Sequence, residues 1–436
     1  MKYERFELDN GLRVILVPME SVESATVLIL GNTGSRFESK DQWGIAHFFE
    51  HMVFKGTKSY PSPLDVALAF DSIGALSNAF TSKEYTGYFA KTASKHIPLA
   101  LKVLSEMMFF PLLKEADIKR ESGVIIEEIN MYLDQPMQQV GNEFEKLMYA
   151  GSGLAHDILG TKKSVASFTP DDFKKFLAQW YGPANLTLVI AGDASSLTQP
   201  DLNKQIEKNF NLRIKNRESK RQPTHQLAIK EKRFGSSLLK VVEKETEQAH
   251  LVLAWPGIRL ADKRRPALSL LSVVMGGNMS SRLFVEVREK RGLGYYVRSE
   301  NDYYHHAGAF GAAAGVDPAR VHQAIEVIVD QFRQLAEGKR PITGKELENA
   351  KEYLAGQVSL SLEDSRSVAQ WFGLKDVLLN EIKTPAQSLA KVQAVSLDEV
   401  NKLAKELVQS GQMRLAVIGP FRESEFRKYV GVDKST

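Results

Sequence analysis

The 436-residue sequence contains no cysteine. This absence excludes disulfide bonds, thiolate metal ligands and cysteine nucleophiles, so any bound metal must use nitrogen and oxygen ligands. The sequence also lacks the run of about 18 apolar residues that a membrane-spanning helix needs. Residues 1–11 have no signal-peptide or transit-peptide character. We therefore expect a cytoplasmic protein with no membrane partner.

The net charge of the chain is also small, because it contains 57 Lys and Arg residues and 53 Asp and Glu residues. Such a balance indicates no nucleic-acid partner, which would require a clustered basic face. The most basic stretch, residues 215–221, is interrupted by Glu218. It is more typical of a solvated connector than of a binding patch.

The length exceeds the roughly 50 to 250 residues of a single domain. Residues 213–236 are polar, charged and without clear periodicity, which is typical of a linker between domain 1–212 and domain 237–436. After this linker the pattern repeats, since residues 250–259 are similar to residues 25–36 and residues 395–420 to residues 168–193. The halves are predicted to be diverged copies of one α+β unit.

Hydrophobic periodicity predicts the elements that surround the most informative motif. The predicted strands are residues 12–16, 25–30, 80–90 and 186–190, and the predicted helices are residues 43–55, 97–108, 116–133 and 173–180.

The predicted helix 43–55 carries the motif His47-Phe48-Phe49-Glu50-His51. A helix advances about 100° per residue, so the two imidazoles at i and i+4 share a face and the carboxylate lies beside them. Two imidazoles suit zinc, and the carboxylate is a candidate base for a water molecule. The alternative is a chance arrangement among the nine histidines of the chain. The corresponding stretch of the second copy, residues 268–274, has no metal-binding side chain.

Further blocks extend this motif. Residues 44–57, 78–86, 121–131, 280–284 and 288–295, in this order and spacing, resemble the pitrilysin/insulinase family of zinc metallopeptidases with an inverted HxxEH motif. The similarity is to its half-length, mitochondrial-processing-peptidase-like branch and extends from Asn10 to Gly419. It implies two homologous α+β domains, each a mainly antiparallel sheet covered by helices, arranged as a two-lobed clam.

The resemblance implies roles for individual residues. His47 and His51 would be ligands of one Zn²⁺ per chain, with Glu50 as general base and Glu128 as the distal ligand. Glu127 is the only close rival of Glu128.

Glu121 would contact the metal ligands without binding the metal itself. Positions 121 and 128 are two helical turns apart and share a face, whereas position 127 is rotated by about 100°. The alternative for Glu121 and Glu128 is an acidic helix face in water.

Substrate-binding residues are implied in both domains. Asn78, Ala79 and Phe80 would form the edge strand to which an extended peptide adds, although an ordinary edge strand would have the same sequence character. Arg288 and Tyr295 would hold the substrate carbonyl, with Tyr296 as the neighbouring alternative to Tyr295.

The implied function is a zinc-dependent endopeptidase that hydrolyses peptides or unfolded polypeptides inside a dimeric chamber. A half-length chain would obtain the Arg288 and Tyr295 pair from a partner subunit, and a homodimer suffices because this chain carries both halves of the site. The alternatives are the catalytic subunit of a heterodimer, or a non-catalytic peptide-binding scaffold subunit. Scaffold subunits lose the metal residues, which are all present here.

Overall fold

The structure, a computed structural model, describes residues 1–212, 217, 220–222, 224–229, 234–410 and 412–431. The predicted linker 213–236 falls largely outside the described residues. Within the described ranges, no helix has the length and apolarity needed to cross a membrane.

The chain forms two compact units, each assembled from three segments. The first unit comprises Met1–Ile129, His156–Leu227 and Val358–Gln387, and the second comprises Asn130–Ala155, Ala228–Gln357 and Ser388–Thr436. The units therefore differ from the contiguous ranges 1–212 and 237–436, because each includes one segment from the opposite half of the sequence.

The first unit is built on a six-stranded sheet in the order β1-β2-β6-β3-β5-β4. Strands β2 and β6 run parallel, and the other neighbouring strands run antiparallel. Strand β4 lies at one edge of this sheet. The strand bounds are β1 Glu4–Glu7, β2 Arg13–Met19, β3 Ser24–Gly31, β4 Leu76–Thr81, β5 Thr86–Ala93 and β6 Leu186–Asp193.

The second unit is built on a five-stranded sheet in the order β7-β11-β8-β10-β9. Strands β7 and β11 run parallel and the other neighbours antiparallel, so this sheet repeats the β2-β6-β3-β5-β4 arrangement strand for strand. The predicted fold of two homologous, mainly antiparallel α+β units is confirmed. The strand bounds are β7 Leu239–Glu243, β8 Ala249–Pro256, β9 Gly294–Tyr303, β10 Gly308–Val316 and β11 Arg414–Gly419.

Helices cover the sheets. Their bounds in chain order are α1 Ile45–Met52, α2 Pro63–Asp71, α3 Ile97–Phe109, α4 Glu115–Leu133, α5 Pro136–Met148, α6 Lys162–Ser167, α7 Pro170–Trp180, α8 Ala194–Leu197, α9 Pro200–Phe210, α10 Thr224–Ile229, α11 Arg265–Ser272, α12 Val321–Ala336, α13 Gly344–Ser361, α14 Ser365–Leu379, α15 Pro385–Gln393 and α16 Leu397–Ser410.

Both faces of the first sheet are buried, which explains why β3 is apolar at successive positions. Val27 and Ile29 face a core formed with α1, α3, α7 and α9. Leu28 and Leu30 face the opposite side, where Phe372 of α14 packs against them. Helix α14 comes from the second half of the sequence and supplies the cover that this face requires.

The second sheet is covered in the same manner by α5, which comes from the first half of the sequence. Val140, Phe144 and Met148 of α5 pack against Ala254 of β8 and Ile418 of β11. Each sheet thus depends on a helix that the opposite half of the chain encodes.

Two local predictions differ from the structure. The single strand predicted over residues 80–90 is wrong, because the chain reverses between β4 and β5, where the Ser82 N–H donates to the Tyr85 carbonyl at 2.8 Å. The turn Ser82-Lys83-Glu84-Tyr85 contains none of the glycine, proline or asparagine residues that usually mark a hairpin. The predicted helix 43–55 is shortened to α1, which begins after Gly44 at a φ of 96°.

Candidate metal centre

Helix α1 is anchored by its apolar face. Ile45, Phe48, Phe49 and Met52 are almost fully buried in the core of the first unit. This packing leaves the other face of α1, with the two histidines and Glu50, turned towards α4 and β4. The hydrophobic spacing of the helix therefore sets the direction of its functional side chains.

The N-terminus of α1 is held by a buried acidic residue. Glu38 accepts hydrogen bonds from the backbone N–H groups of Gly44 and Ala46, each at 2.8 Å. Its carboxylate also lies 3.2 Å from His156 Nε2, and the His156 ring stacks on Trp43. A carboxylate at this position satisfies unpaired N–H groups and complements the positive end of the helix dipole.

Three side chains converge between α1 and α4. The His47 Nε2 and His51 Nε2 atoms lie 3.7 Å and 3.6 Å from the Glu128 Oε2 atom. Ligand atoms of these three residues all lie within 4.8 Å of one another. Among the described residues no other group of three histidine or acidic side chains has this arrangement. We call these residues the His-His-Glu group.

The geometry fits a shared cation. Separations of 3.6 and 3.7 Å exceed hydrogen-bond length, but atoms that each lie about 2.0 to 2.2 Å from one zinc ion are separated by similar distances. Two imidazole nitrogens and one carboxylate oxygen are also the donor set of catalytic zinc sites that keep one position open. Glu127, the rival of Glu128, is exposed and lies outside the group.

Glu121 lies behind His51. The His51 Nδ1 atom is 2.9 Å from Glu121 Oε1, and Lys55 Nζ is 2.6 Å from Glu121 Oε2. Burial opposes ionisation of Glu121, but hydrogen bonds from His51 and Lys55 outweigh it and lower the pKa of this carboxyl. An ionised Glu121 keeps the proton of His51 on Nδ1 and leaves the lone pair of Nε2 free for a metal.

Burial controls the charge of the other members. It lowers the pKa of His47 to about 3, with a smaller contribution from His51, so His47 is a neutral imidazole rather than the cation of an ion pair. Burial also raises the pKa of Glu128; the charge of His51 opposes this effect, and the charge of Glu121 adds to it. A neutral His47 imidazole is the form that can coordinate a metal ion.

Glu50 lies beside the group and has its own partner. Burial raises the pKa of Glu50, whereas a hydrogen bond from Thr81 lowers it in part. The Thr81 hydroxyl donates to Glu50 Oε2 at 2.6 Å. Glu50 is thus connected to the final residue of strand β4.

Asn78, Ala79 and Phe80 all lie in β4, the edge strand of the first sheet. The Ala79 N–H donates to the Oδ1 atom of Asn78 at 2.8 Å. Phe80 packs edge-on against Tyr85 of the β4–β5 turn. The strand that carries these three residues ends at Thr81, next to Glu50.

Arg288 and Tyr295 belong to the second unit and lie close together. Arg288 is in the π-helical segment Phe284–Glu289, and its Cζ atom lies 5.6 Å from the centre of the Tyr295 ring. Tyr295 is 74% exposed at the start of edge strand β9. The Tyr296 hydroxyl instead lies 3.1 Å from His250 Nδ1, and burial raises the pKa of Tyr296 to about 12. Tyr295 is the tyrosine beside Arg288.

Sequence reasoning missed Glu38, Lys55 and Thr81. Glu38 precedes its helix by several residues and has no recognisable capping spacing. Lys55 has the character of a solvated residue after a helix. Thr81 has a stronger signal, because it directly follows Asn78-Ala79-Phe80 in a predicted strand, but its contact with Glu50 depends on tertiary structure.

The chain is similar to known families and proteins over most of its length. A family described as "Insulinase (Peptidase family M16)" matches residues 13–162, and one described as "Peptidase M16 inactive domain" matches residues 167–354. The uncharacterized zinc protease YmxG of Bacillus subtilis is 38% identical over 417 residues, which cover 96% of this chain and 98% of that protein.

An uncharacterized zinc protease of Streptomyces coelicolor is 34% identical over 424 residues, covering 97% of this chain and 90% of that protein. The crystal structure of a protease from Helicobacter pylori superposes with a TM-score of 0.86 at 25% identity. The superposition covers 96% of this chain and 99% of that chain.

Proposed function

The chain belongs to the insulinase family, peptidase family M16, and from this premise we propose that it is a zinc-dependent endopeptidase. The proposed substrates are peptides or unfolded polypeptides, hydrolysed inside a dimeric chamber. The observation that carries the proposal is the convergence of His47, His51 and Glu128, with Glu50 beside them.

The His-His-Glu group would hold the metal ion. When bound, zinc supplies Lewis-acid chemistry to a peptide carbonyl and to the attacking water. Glu121 would keep His51 in the tautomer and orientation that a ligand needs, through its contact with Nδ1.

Glu50 is the proposed general base. Its carboxylate would take a proton from the attacking water and deliver it to the departing amine. The partly buried position of Glu50 favours a proton acceptor stronger than a carboxylate in bulk water, because burial raises its pKa. The hydrogen bond from Thr81 occupies Oε2 and leaves Oε1 available for this transfer.

Edge strand β4 would bind the substrate backbone. An added peptide strand forms main-chain hydrogen bonds that do not depend on its sequence, which suits an enzyme for unfolded polypeptides. Arg288 and Tyr295 would stabilise the developing oxyanion, because a guanidinium and a phenol hydroxyl are both hydrogen-bond donors.

Substitution of the base tests the catalytic part of the proposal. Glu50→Gln should retain one zinc per chain in elemental analysis and should slow cleavage of a quenched fluorogenic peptide by at least about 100-fold. Cleavage at a rate near that of the wild type would reject Glu50 as the base. A wild-type chain that binds zinc but cleaves no unfolded polypeptide would support the scaffold alternative.

The dimer is a separate part of the proposal, in which each site is completed by the Arg288 and Tyr295 pair of the other subunit. Co-expression of a His51→Ala chain with a Tyr295→Phe chain should generate mixed dimers with one intact site. Random pairing predicts about one quarter of wild-type activity, well above either variant alone. Activity no higher than the mean of the two variants would contradict completion between subunits. A monomeric mass in solution would favour a different partner chain.

A further inference from the structure

Thr81 contacts two parts of the first unit that have different proposed roles, Glu50 of α1 and the edge strand β4. Its hydroxyl donates to Glu50 Oε2 at 2.6 Å, although the two residues are 31 positions apart. Its backbone is the last residue of β4 and pairs with Thr86 of β5. One residue therefore contacts both the proposed base and the proposed peptide-binding strand.

The register of β4 shows which backbone groups face the open edge. The Ser82 N–H donates to the Tyr85 carbonyl, so this pair is hydrogen-bonded. In an antiparallel ladder, hydrogen-bonded and non-hydrogen-bonded pairs alternate. Ser77, Ala79 and Thr81 thus direct their N–H and C=O groups away from β5, towards the position of an added strand.

A contact of Ala79 agrees with this alternation. Its N–H donates to Oδ1 of Asn78 at 2.8 Å instead of to β5. The outward backbone groups of Ala79 and Thr81 are the ones that a peptide strand would meet. The side chain of Thr81 stands roughly perpendicular to the sheet, as strand side chains do, and it reaches Glu50.

We propose that Thr81 is the positioning residue of the general base, and that it links the seating of a peptide on β4 to the orientation of Glu50. This inference rests on the proposed peptidase function. The Thr81 hydroxyl fixes Oε2 of Glu50 and so directs Oε1 towards the water proton. A peptide strand that pairs with the backbone of Thr81 restrains this residue, and through it the base.

The first test uses Thr81→Val, which removes the hydroxyl group of Thr81 and keeps the shape of its side chain. Thr81→Val should lower kcat for an extended fluorogenic peptide by roughly 10- to 100-fold, the range expected for a lost hydrogen bond to a charged group. KM and the dissociation constant of zinc should stay within about threefold, because KM reports other contacts and zinc ligation does not involve Thr81. Thr81→Ser restores the donor and should recover most of kcat.

Thr92 supplies a matched control. It is a buried threonine on the neighbouring strand β5, and its Oγ1 has no hydrogen-bond partner within the described part of the chain. Thr92→Val makes the same atomic change and should leave kcat within about twofold, because no hydrogen bond is lost.

The outcomes separate this inference from the proposed function. Wild-type turnover with an unchanged kcat in Thr81→Val would overturn the role of Thr81 and leave the peptidase function intact. A wild-type chain without turnover would overturn both. If Thr81→Val folds poorly, Thr81→Ser is the deciding variant, since a folded serine variant whose kcat is lowered about 10-fold or more would contradict positioning by the hydroxyl.

The second test examines the link to the peptide strand. Single N-methyl groups scanned along the extended substrate remove one N–H donor at a time from the added strand. The methylation that disrupts pairing with Thr81 should lower kcat about tenfold in the wild type and should raise only KM in Thr81→Val. Equal losses of kcat in both enzymes at every position would overturn the link.

Discussion

The Nδ1 atom of His51 lies 2.9 Å from the Oε1 atom of Glu121, and this contact directs the Nε2 atom of the same ring towards Glu128. The orientation of a proposed metal ligand is thus set by a residue two helical turns from the distal glutamate on the same face of α4.

Removal of the charge on Glu121 should weaken zinc binding without abolishing it. Glu121→Gln keeps the shape but loses the ionised partner of His51 and Lys55. We expect a loss of about 10- to 100-fold in zinc affinity, measured by competition with a chromophoric chelator. Glu115→Gln, an exposed change in the first turn of the same helix, is the control and should not alter affinity. Unchanged affinity in Glu121→Gln would reject its supporting role.

The choice between Glu128 and Glu127 can be tested with paired variants. Glu128→Ala removes a member of the His-His-Glu group, so the purified chain should lose stoichiometric zinc and more affinity than Glu121→Gln. Glu127→Ala should keep one zinc per chain, because its exposed side chain lies outside the group. Elemental analysis after dialysis measures both variants. The reverse result would transfer the ligand role to Glu127.

Gly44 should be essential for the placement of α1. Its φ is 96°, and a Cβ atom at this position would lie 2.5 Å from the Leu159 carbonyl oxygen. Gly44→Ala should therefore lower the free energy of unfolding by about 1 to 3 kcal/mol and weaken zinc binding.

Gly123→Ala is the matched control for this change. Gly123 lies within α4, and a Cβ atom there would meet nothing within 4 Å. This variant should be neutral or more stable by about 0.5 to 1 kcal/mol. Urea unfolding measures both variants, and equal stability would contradict the constraint at Gly44.

Glu286 should make the stability of the second unit sensitive to acid. Although burial opposes its ionisation, hydrogen bonds from Arg291, Lys290 and Arg340 lower its pKa from 4.5 to about 2. Because the folded-state pKa is depressed, this stabilisation is complete above the unfolded value and is lost as pH falls towards 2.

The measurement compares wild type with Glu286→Gln in urea unfolding at pH 7 and at pH 3.5. The difference in unfolding free energy should be larger at pH 7. Glu348→Gln provides a control, since Glu348 is an exposed residue of α13 in the same unit. A difference for Glu286→Gln that is independent of pH would show that its charge contributes nothing.

Much of the metal centre is predictable from sequence because its spacing is local. His47 and His51 are one helical turn apart, and Glu121 and Glu128 are two turns apart, so helix geometry alone orients each pair. Sequence periodicity does not determine the distance between α1 and α4. The family resemblance supplied that pairing, and the structure brings His47, His51 and Glu128 together.

The unpredicted features depend on contacts between distant segments. Thr81 reaches Glu50 only because β4 runs beside α1, and the hairpin before β5 has no turn residues that reveal it. Glu38 is buried although an isolated glutamate is normally solvated. Hydrophobic periodicity identifies a helix such as α14 and its apolar face, but it does not specify which sheet that face covers.

Each half of the chain contributes a covering helix to the sheet of the other half: α14 covers the first sheet, and α5 covers the second. The two halves are therefore interdependent. A cut between the halves would yield two fragments, each with a sheet whose covering helix is attached to the other fragment. The fragments would therefore have to associate to bury their apolar surfaces. The repeat is therefore a structural duplication without being a pair of independent folding modules.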